Sequence, residues 1–224
     1  MKKTIVSWSG GKDSTMMLHR LLQNPEYPIS GLFTSINRVA RSVPFHGIGE
    51  DLLKDQAASL RLPIQFLELS PSPSNNEYEE SLGEFLKNCK ENEITHVAFG
   101  DIFLKDLRKY REDLVTACGL QAIFPLWGEQ TESLARQFIK DGYKASICGI
   151  DKSKLPYSLL GHQYNKSFIQ TIEKSADSCG ENGEFHTFVY GGPIFSRELS
   201  FGTAGTENTF PGFRTLLLQR EDNT

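Results

Sequence analysis

The chain has 224 residues, 38% of them hydrophobic and 23% charged. That balance excludes a disordered or fibrous chain and suffices for one large domain or two small ones. The formal net charge of −4 leaves no overall basic footprint, which argues against a nucleic-acid partner.

In chain order, Thr4 to Trp8 is short, apolar and β-branched, and it runs directly into a glycine pair. Leu18, Leu21 and Leu22 then recur at helical spacing until Asn24-Pro25. Residues 29–36 read as a second strand, 50–60 as a helix with Leu53, Ala57 and Leu60 on one side, and 64–69 as a third strand. After the turn-rich Pro71-Ser-Pro-Ser-Asn75, a helix is expected with Asn76 as N-cap and Glu79 completing a capping box. Tyr78, Leu82, Phe85, Leu86 and Cys89 supply its apolar face. Residues 95–99 read as a fourth strand that ends at Gly100-Asp101, and a further helix stops near Gly119.

Strands alternating with helices predict an α/β fold with a doubly wound parallel sheet, whose ligands lie beyond the carboxyl ends of the strands. The second half is less regular. A helix is expected over 131–141, a strand over 144–150 and a helix over 164–174, followed by a glycine- and aromatic-rich stretch to Phe201 and an apolar run at Leu216-Leu217-Leu218. The expected division is a domain over 1–123 and a smaller mixed α/β domain over 124–224. Four cysteines at 89, 118, 148 and 179 form no CxxC pair, the pattern of free thiols in a reducing compartment. The apolar run behind Lys2-Lys3 stops at Trp8 and no later run approaches a membrane span, so the expectation is a cytoplasmic protein with no membrane partner.

Ser9-Gly-Gly-Lys-Asp-Ser14 stands where a strand passes into a helix, the natural place for an anion. Paired glycines let the chain turn sharply and aim successive N–H groups at the anion without a Cβ in the way. Lys12 supplies a point charge, and the hydroxyls of Ser9 and Ser14 donate to phosphate oxygens. Asp13 suits capping or Mg2+ better than bare phosphate. A Walker A loop is excluded, because Val6 stands at its first glycine and Asp13 at its Ser or Thr.

A second conspicuous stretch, Asp177 to Phe195, sets Glu181, Glu184, His186 and Thr187 among glycines. Carboxylates so placed hold Mg2+, orient an amine or act as a base. Alone, the stretch reads first as a glycine-rich hairpin with exposed acids.

The loop over 9–14 resembles that of the PP-loop ATP pyrophosphatases, the N-type branch that includes GMP synthetase, NAD synthetase and argininosuccinate synthetase. That resemblance implies an adenine nucleotide alpha-hydrolase-like, Rossmann-like fold and cleavage of ATP between its α- and β-phosphates. Together with Gly180-Glu-Asn-Gly-Glu-Phe-His-Thr-Phe-Val189, the loop resembles the diphthine–ammonia ligase family, the ATP-binding diphthamide synthesis domain. His46-Gly47, Gln56-Ala57, Leu62-Pro63, Gly100-Asp101 and Pro125-Leu126-Trp127 agree with it, and the Asn182-Gly-Glu-Phe-His186 wording is similar to a bacterial branch. Family members amidate the carboxylate of diphthine, a modified histidine of elongation factor 2.

The resemblance implies a ligase that adenylates a small-molecule or protein-bound carboxylate, releases pyrophosphate and forms an amide with ammonia or an amine, using ATP and Mg2+. It implies catalytic roles for Lys12, Glu181, Glu184 and His186. Nucleotide contacts fall to Ser9, Gly10, Gly11, Lys12, Asp13, Ser14, His46, Gly100 and Asp101. Substrate contacts fall to Arg108, Arg111, Glu112 and Thr187, and Mg2+ to Asp13 and Glu184. Arg108 and Glu112, four residues apart on one helix, would share a face. Two other readings stand beside this one: a PP-loop RNA-modifying enzyme, which the acidic balance disfavours, and an ATP-binding sensor without turnover, which the complete loop and both glutamates disfavour. A homodimer is compatible with the fold. Cys179 reads as a small buried thiol.

Overall fold

The computed structural model describes residues 2–221. The chain forms two compact units, one of Met1–Trp8, Asp13–Arg41 and Leu62–Gly128, the other of Ser9–Lys12, Ser42–Arg61 and Glu129–Thr224. The units interleave along the chain, whereas the sequence reading placed one boundary between residues 123 and 124.

The first unit holds β1 (Thr4–Ser7), β2 (Ile29–Asn37), β3 (Ile64–Leu69), β4 (His96–Ala98) and β5 (Gln121–Ile123). They form one sheet of order β3-β2-β1-β4-β5 in which every neighbouring pair is parallel. This is the doubly wound sheet expected from the alternation of elements. Ile5, Val6, Leu32, Phe33, Val97 and Ala98 are all buried, which is why the strands read as continuous apolar runs and not as alternating ones. The order reverses at β1, so the segments leaving β1 and β4 mark the switch point.

Helices α1 (Lys12–Leu22), α3 (Asn75–Glu91) and α4 (Lys105–Ala117) follow β1, β3 and β4. In α3, Leu82, Phe85, Leu86 and Cys89 are buried, the i, i+3, i+4, i+7 stripe of a helix against a core. Phe85 lies 4.8 Å from Phe33 between ring centres, and Phe99 meets Phe33 edge to face. The α3 N-cap is Ser74, not Asn76: its side chain accepts from Glu77 N, and the Glu77 carboxylate takes Ser70 N and Oγ, both at 2.6 Å. The three-residue strand β5 was too short to carry a periodic signal.

The second unit contains β6 (Lys144–Asp151), β7 (Phe185–Gly191), β8 (Phe201–Phe210) and β9 (Phe213–Arg220), with α5 (Thr131–Lys140) and α6 (Lys166–Ile172). Its sheet has order β7-β6-β9-β8 and is antiparallel throughout. The segment that links β2 to β3 in the chain, with helix α2 (Glu50–Leu60), belongs to this unit. Leu218 N donates to Gly47 O at 2.9 Å and Gly49 N to Leu218 O at 3.2 Å. Arg220 clasps Asp55 of α2 through two 2.7 Å hydrogen bonds. This approach requires glycine: Gly47 has φ +63, and a Cβ there would sit 2.0 Å from Leu216 O.

Among the described residues none of the four cysteines forms a disulfide. Among the described residues, no helix is long and apolar enough to cross a membrane.

Candidate functional site

The glycine loop after β1 is shaped by its neighbours in the second unit. Gly10 has φ +79, and a Cβ there would lie 2.8 Å from Gln56 Oε1; one on Gly11 would lie 3.0 Å from Thr187 O. The pair thus serves both the turn and the close approach of β7. Gly10 O accepts from Val189 N at 2.9 Å and from Gln56 Nε2 at 3.0 Å, and Gln56 Nε2 also donates to Val189 O at 2.7 Å. Gln56 is fully buried and acts as a polar rivet between loop and strand. In the sequence it showed as a glutamine on the apolar side of a helix and as part of the Gln56-Ala57 pair that agrees with the family.

Two amides of the loop already have acceptors. Gly11 N donates to Ser9 Oγ at 3.3 Å, and Lys12 N donates to Thr187 Oγ1 at 3.0 Å across a separation of 175 residues. Thr187, expected against substrate, is buried and holds the start of α1. Lys12 is 4% exposed. Its ammonium lies 5.6 Å from the Phe185 ring centre and 5.9 Å from that of Tyr164, where the ring faces favour a cation.

The acids of the 177–184 turn hold one another's backbone. Glu184 is buried; its Oε1 accepts from Asp177 N at 3.1 Å and Asn182 Nδ2 at 3.2 Å, and its Oε2 from Asn182 N at 3.0 Å. Asp177 Oδ1 accepts from Cys179 N and Glu181 N, and its Oδ2 from Thr131 Oγ1. Asp177 was not among the expected site residues, although an acid that opens a glycine-rich turn is a familiar local acceptor. Cys179 is buried with its thiol on Thr131 O. Both Glu184 oxygens are engaged, and among the described residues no group of three His, Cys, Asp or Glu could hold a metal ion. The side chains present do not fit a protein-built Mg2+ centre.

His46 and His186 stack with ring centres 4.4 Å apart and an interplanar angle of 29°. Phe213 lies 5.5 Å from His186, and Phe45 flanks the same ring. Burial pushes the His46 imidazole down to about 4; the Pro44 carbonyl opposes this, and the Lys12 charge adds to it. His186 is held well below its ordinary value by burial, then by His46 and Lys12. Both rings are therefore neutral near pH 7, where each has one ring nitrogen that can accept a hydrogen bond, while burial and the Lys12 charge disfavour protonation.

In the first unit, a Cβ on Gly100 would lie 3.2 Å from the Asp13 carbonyl carbon, so the corner after β4 touches the first turn of α1. Asp101 is buried there with Arg111 Nε 3.1 Å from its Oδ2. Neither atom makes an aligned hydrogen bond. Burial pushes the Asp101 carboxyl up; Arg111 opposes this and Asp13 reinforces it. Arg111 also faces Phe99 at 4.5 Å. Arg108 bonds Glu112, the pair expected from their spacing.

The expected residues therefore fall into two groups. Ser9, Gly10, Gly11, Lys12, His46, Glu181, Glu184, His186 and Thr187 belong to the second unit, and Asp13, Ser14, Gly100, Asp101, Arg108, Arg111 and Glu112 to the first.

The diphthamide synthase N-terminal domain family matches residues 2–122, and the diphthamide synthase C-terminal domain family matches residues 130–214. Diphthine–ammonia ligase of Rattus norvegicus is 27% identical over 218 residues, covering 88% of this chain and 81% of its own length. That of Bos taurus is 26% identical over 213 residues, covering 85% and 79%. The Homo sapiens protein of the same name is 32% identical over 127 residues, 54% of this chain and 47% of its own.

Proposed function

The chain belongs to the diphthamide synthase family, and we propose that it is an ATP-dependent ligase that activates a carboxylate as an acyl-adenylate and converts it to an amide. One observation carries this reading. The strand-to-helix loop and the glycine–glutamate segment, separate signatures in the sequence, form one hydrogen-bonded cluster through Lys12 N, Thr187 Oγ1, Gly10 O, Val189 N and Gln56. A nucleotide loop fastened to a second segment rich in polar side chains is what a two-step ligase requires, since one site must serve adenylation and then amine attack.

In the first step a carboxylate oxygen attacks the α-phosphorus of ATP and pyrophosphate leaves. In the second, ammonia or an amine adds to the acyl carbon, AMP leaves and the nitrogen gives up a proton. Lys12 offsets charge on the phosphates from a buried position, where its field is little screened. Phosphate oxygens replace the hydroxyls of Ser9 and Thr187 as acceptors for Gly11 N and Lys12 N. Neutral His186, stacked on His46, accepts a hydrogen bond from the attacking nitrogen and orients its lone pair towards the acyl carbon. Of the two glutamates expected to be catalytic, Glu181 is given the orientation of the amine, and Glu184 is reassigned to bracing the turn that carries it. Mg2+ is assigned to the phosphates of the nucleotide and not to a carboxylate cage of this chain. Diphthine and ammonia are named for the relatives; here they supply the reaction type, carboxylate to amide, on a small-molecule or protein-bound acid. The four cysteines, none of them in a disulfide among the described residues, support a cytoplasmic setting.

Carboxylate-dependent exchange of labelled pyrophosphate into ATP, with AMP as the adenine product, tests the reading. Lys12→Ala should weaken ATP binding by more than about a hundredfold and remove exchange. Formation of ADP and phosphate, or exchange that survives Lys12→Ala, would overturn it.

A further inference from the structure

Arg108 of α4 is distinguished by how firmly it is held. Its Nε donates to Glu112 Oε1 at 2.7 Å, and its guanidinium carbon lies 4.5 Å from the Trp127 ring centre and 4.9 Å from that of Phe124. The two rings meet at 68°, so the guanidinium sits in a corner of aromatic faces. An arginine left in water gains little from such immobilisation and loses considerable rotamer freedom. Its planar fork, once fixed, is prepared for a bidentate partner.

That fork is open. Among the described residues neither Arg108 Nη atom makes a hydrogen bond, and the side chain is 34% exposed. Arg111, on the same helix, makes a useful contrast, because its Nε is directed at buried Asp101. Glu112 likewise uses a single oxygen in the pair.

We propose that the Nη edge of Arg108, backed by Phe124 and Trp127, binds a ligand carboxylate that is held for recognition and not activated. A carboxylate in the fork has both oxygens engaged, whereas one that attacks phosphorus needs a free lone pair directed at it. Glu112 sets the charge preference. The Arg108–Glu112 pair is neutral overall, so a carboxylate group, with one charge at the fork, gains two charge-assisted hydrogen bonds, while the second charge that a phosphate dianion carries on the same bound group meets repulsion. The ligand class is therefore a carboxylate-bearing small molecule or side chain. This assignment goes beyond the ligase reading and does not depend on it.

The chain carries its own reporter. Of its two tryptophans, Trp8 is 1% exposed and Trp127 is half-buried beneath Arg108. Glutarate is titrated into the full chain at constant ionic strength, with chloride and inorganic phosphate in parallel. Glutarate should change the emission saturably, and chloride and phosphate should not. R108K keeps the charge but loses the fork and should weaken glutarate binding about tenfold or more, with its far-UV circular dichroism unchanged. W127F should lose the optical signal while calorimetry still detects glutarate. Glutarate binding to R108K as tight as to the parent chain, phosphate binding as tight as glutarate, or no saturable change would each overturn the proposal. Failure of pyrophosphate exchange would leave it standing.

Discussion

In the first unit every neighbouring strand pair is parallel and each helix follows the strand it continues, whereas the second unit has an antiparallel sheet and recruits residues 9–12 and 42–61 from far along the chain. The difference shows in what each region asks of its glycines. Gly83 lies within α3 of the first unit, and a Cβ there would meet nothing within 4 Å. Gly10, Gly11 and Gly47 of the second unit stand where another backbone or a buried amide comes within contact distance. The helix face around Gly83 therefore tolerates a small addition, whereas the loop at Gly10 and Gly11 and the turn at Gly47 do not.

Three experiments sharpen that contrast, beginning with the largest effect. Gly47→Ala forces a side chain into a left-handed turn and onto the Leu216 carbonyl, and should cost about 3 kcal/mol or more in urea unfolding. A loss below about 1 kcal/mol would mean that the 42–49 segment yields easily, contrary to this account.

Lowering the pH should act on the second unit next. The His46 pKa is lowered in the folded chain to about 4, from 6.5, so the unfolded chain takes up the proton first. Stability from this group is complete above about 6.5 and is lost as the pH falls towards 4. Allowing for solvent screening of a half-buried ring, the loss is about 1–2 kcal/mol. A His46→Phe chain should show a flatter urea midpoint across that window; an unchanged slope would remove the imidazole stack from the explanation.

The smallest effect runs the other way. Gly83→Ala should stabilise the first unit by about 0.5–1 kcal/mol, read as a rise in the urea midpoint. Destabilisation would show that α3 is packed more tightly around this position than its surroundings indicate.

Much of the first unit could be read from particular residues. Leu82, Phe85, Leu86 and Cys89 announced a helix face, and the β-branched run before Ser9 announced a strand that enters a loop. The N-cap was misplaced because Ser74 and Asn76 are both good caps, and the choice was made by Ser70, which binds Glu77 and fixes the first turn. In the second unit, β7, β8 and β9 were hidden because glycines and threonines interrupt the apolar alternation on which strand reading depends. Glu184 stood out as an acid among glycines, but whether it faces a ligand or its own backbone depends on turn geometry that spacing does not encode.

By itself the amino-acid order determined the strand–loop–helix unit with its glycine pair, the doubly wound sheet and the family. These follow from local periodicity and from residue chemistry that acts over one or two turns of chain. Only the tertiary structure decided that Gln56 rivets the loop to β7, that Thr187 accepts Lys12 N, that α2 joins the antiparallel sheet, and that two imidazoles stack beside a buried ammonium. Each is a contact between residues distant in the chain. Its energy depends on where the intervening backbone returns, and no local pattern records that path.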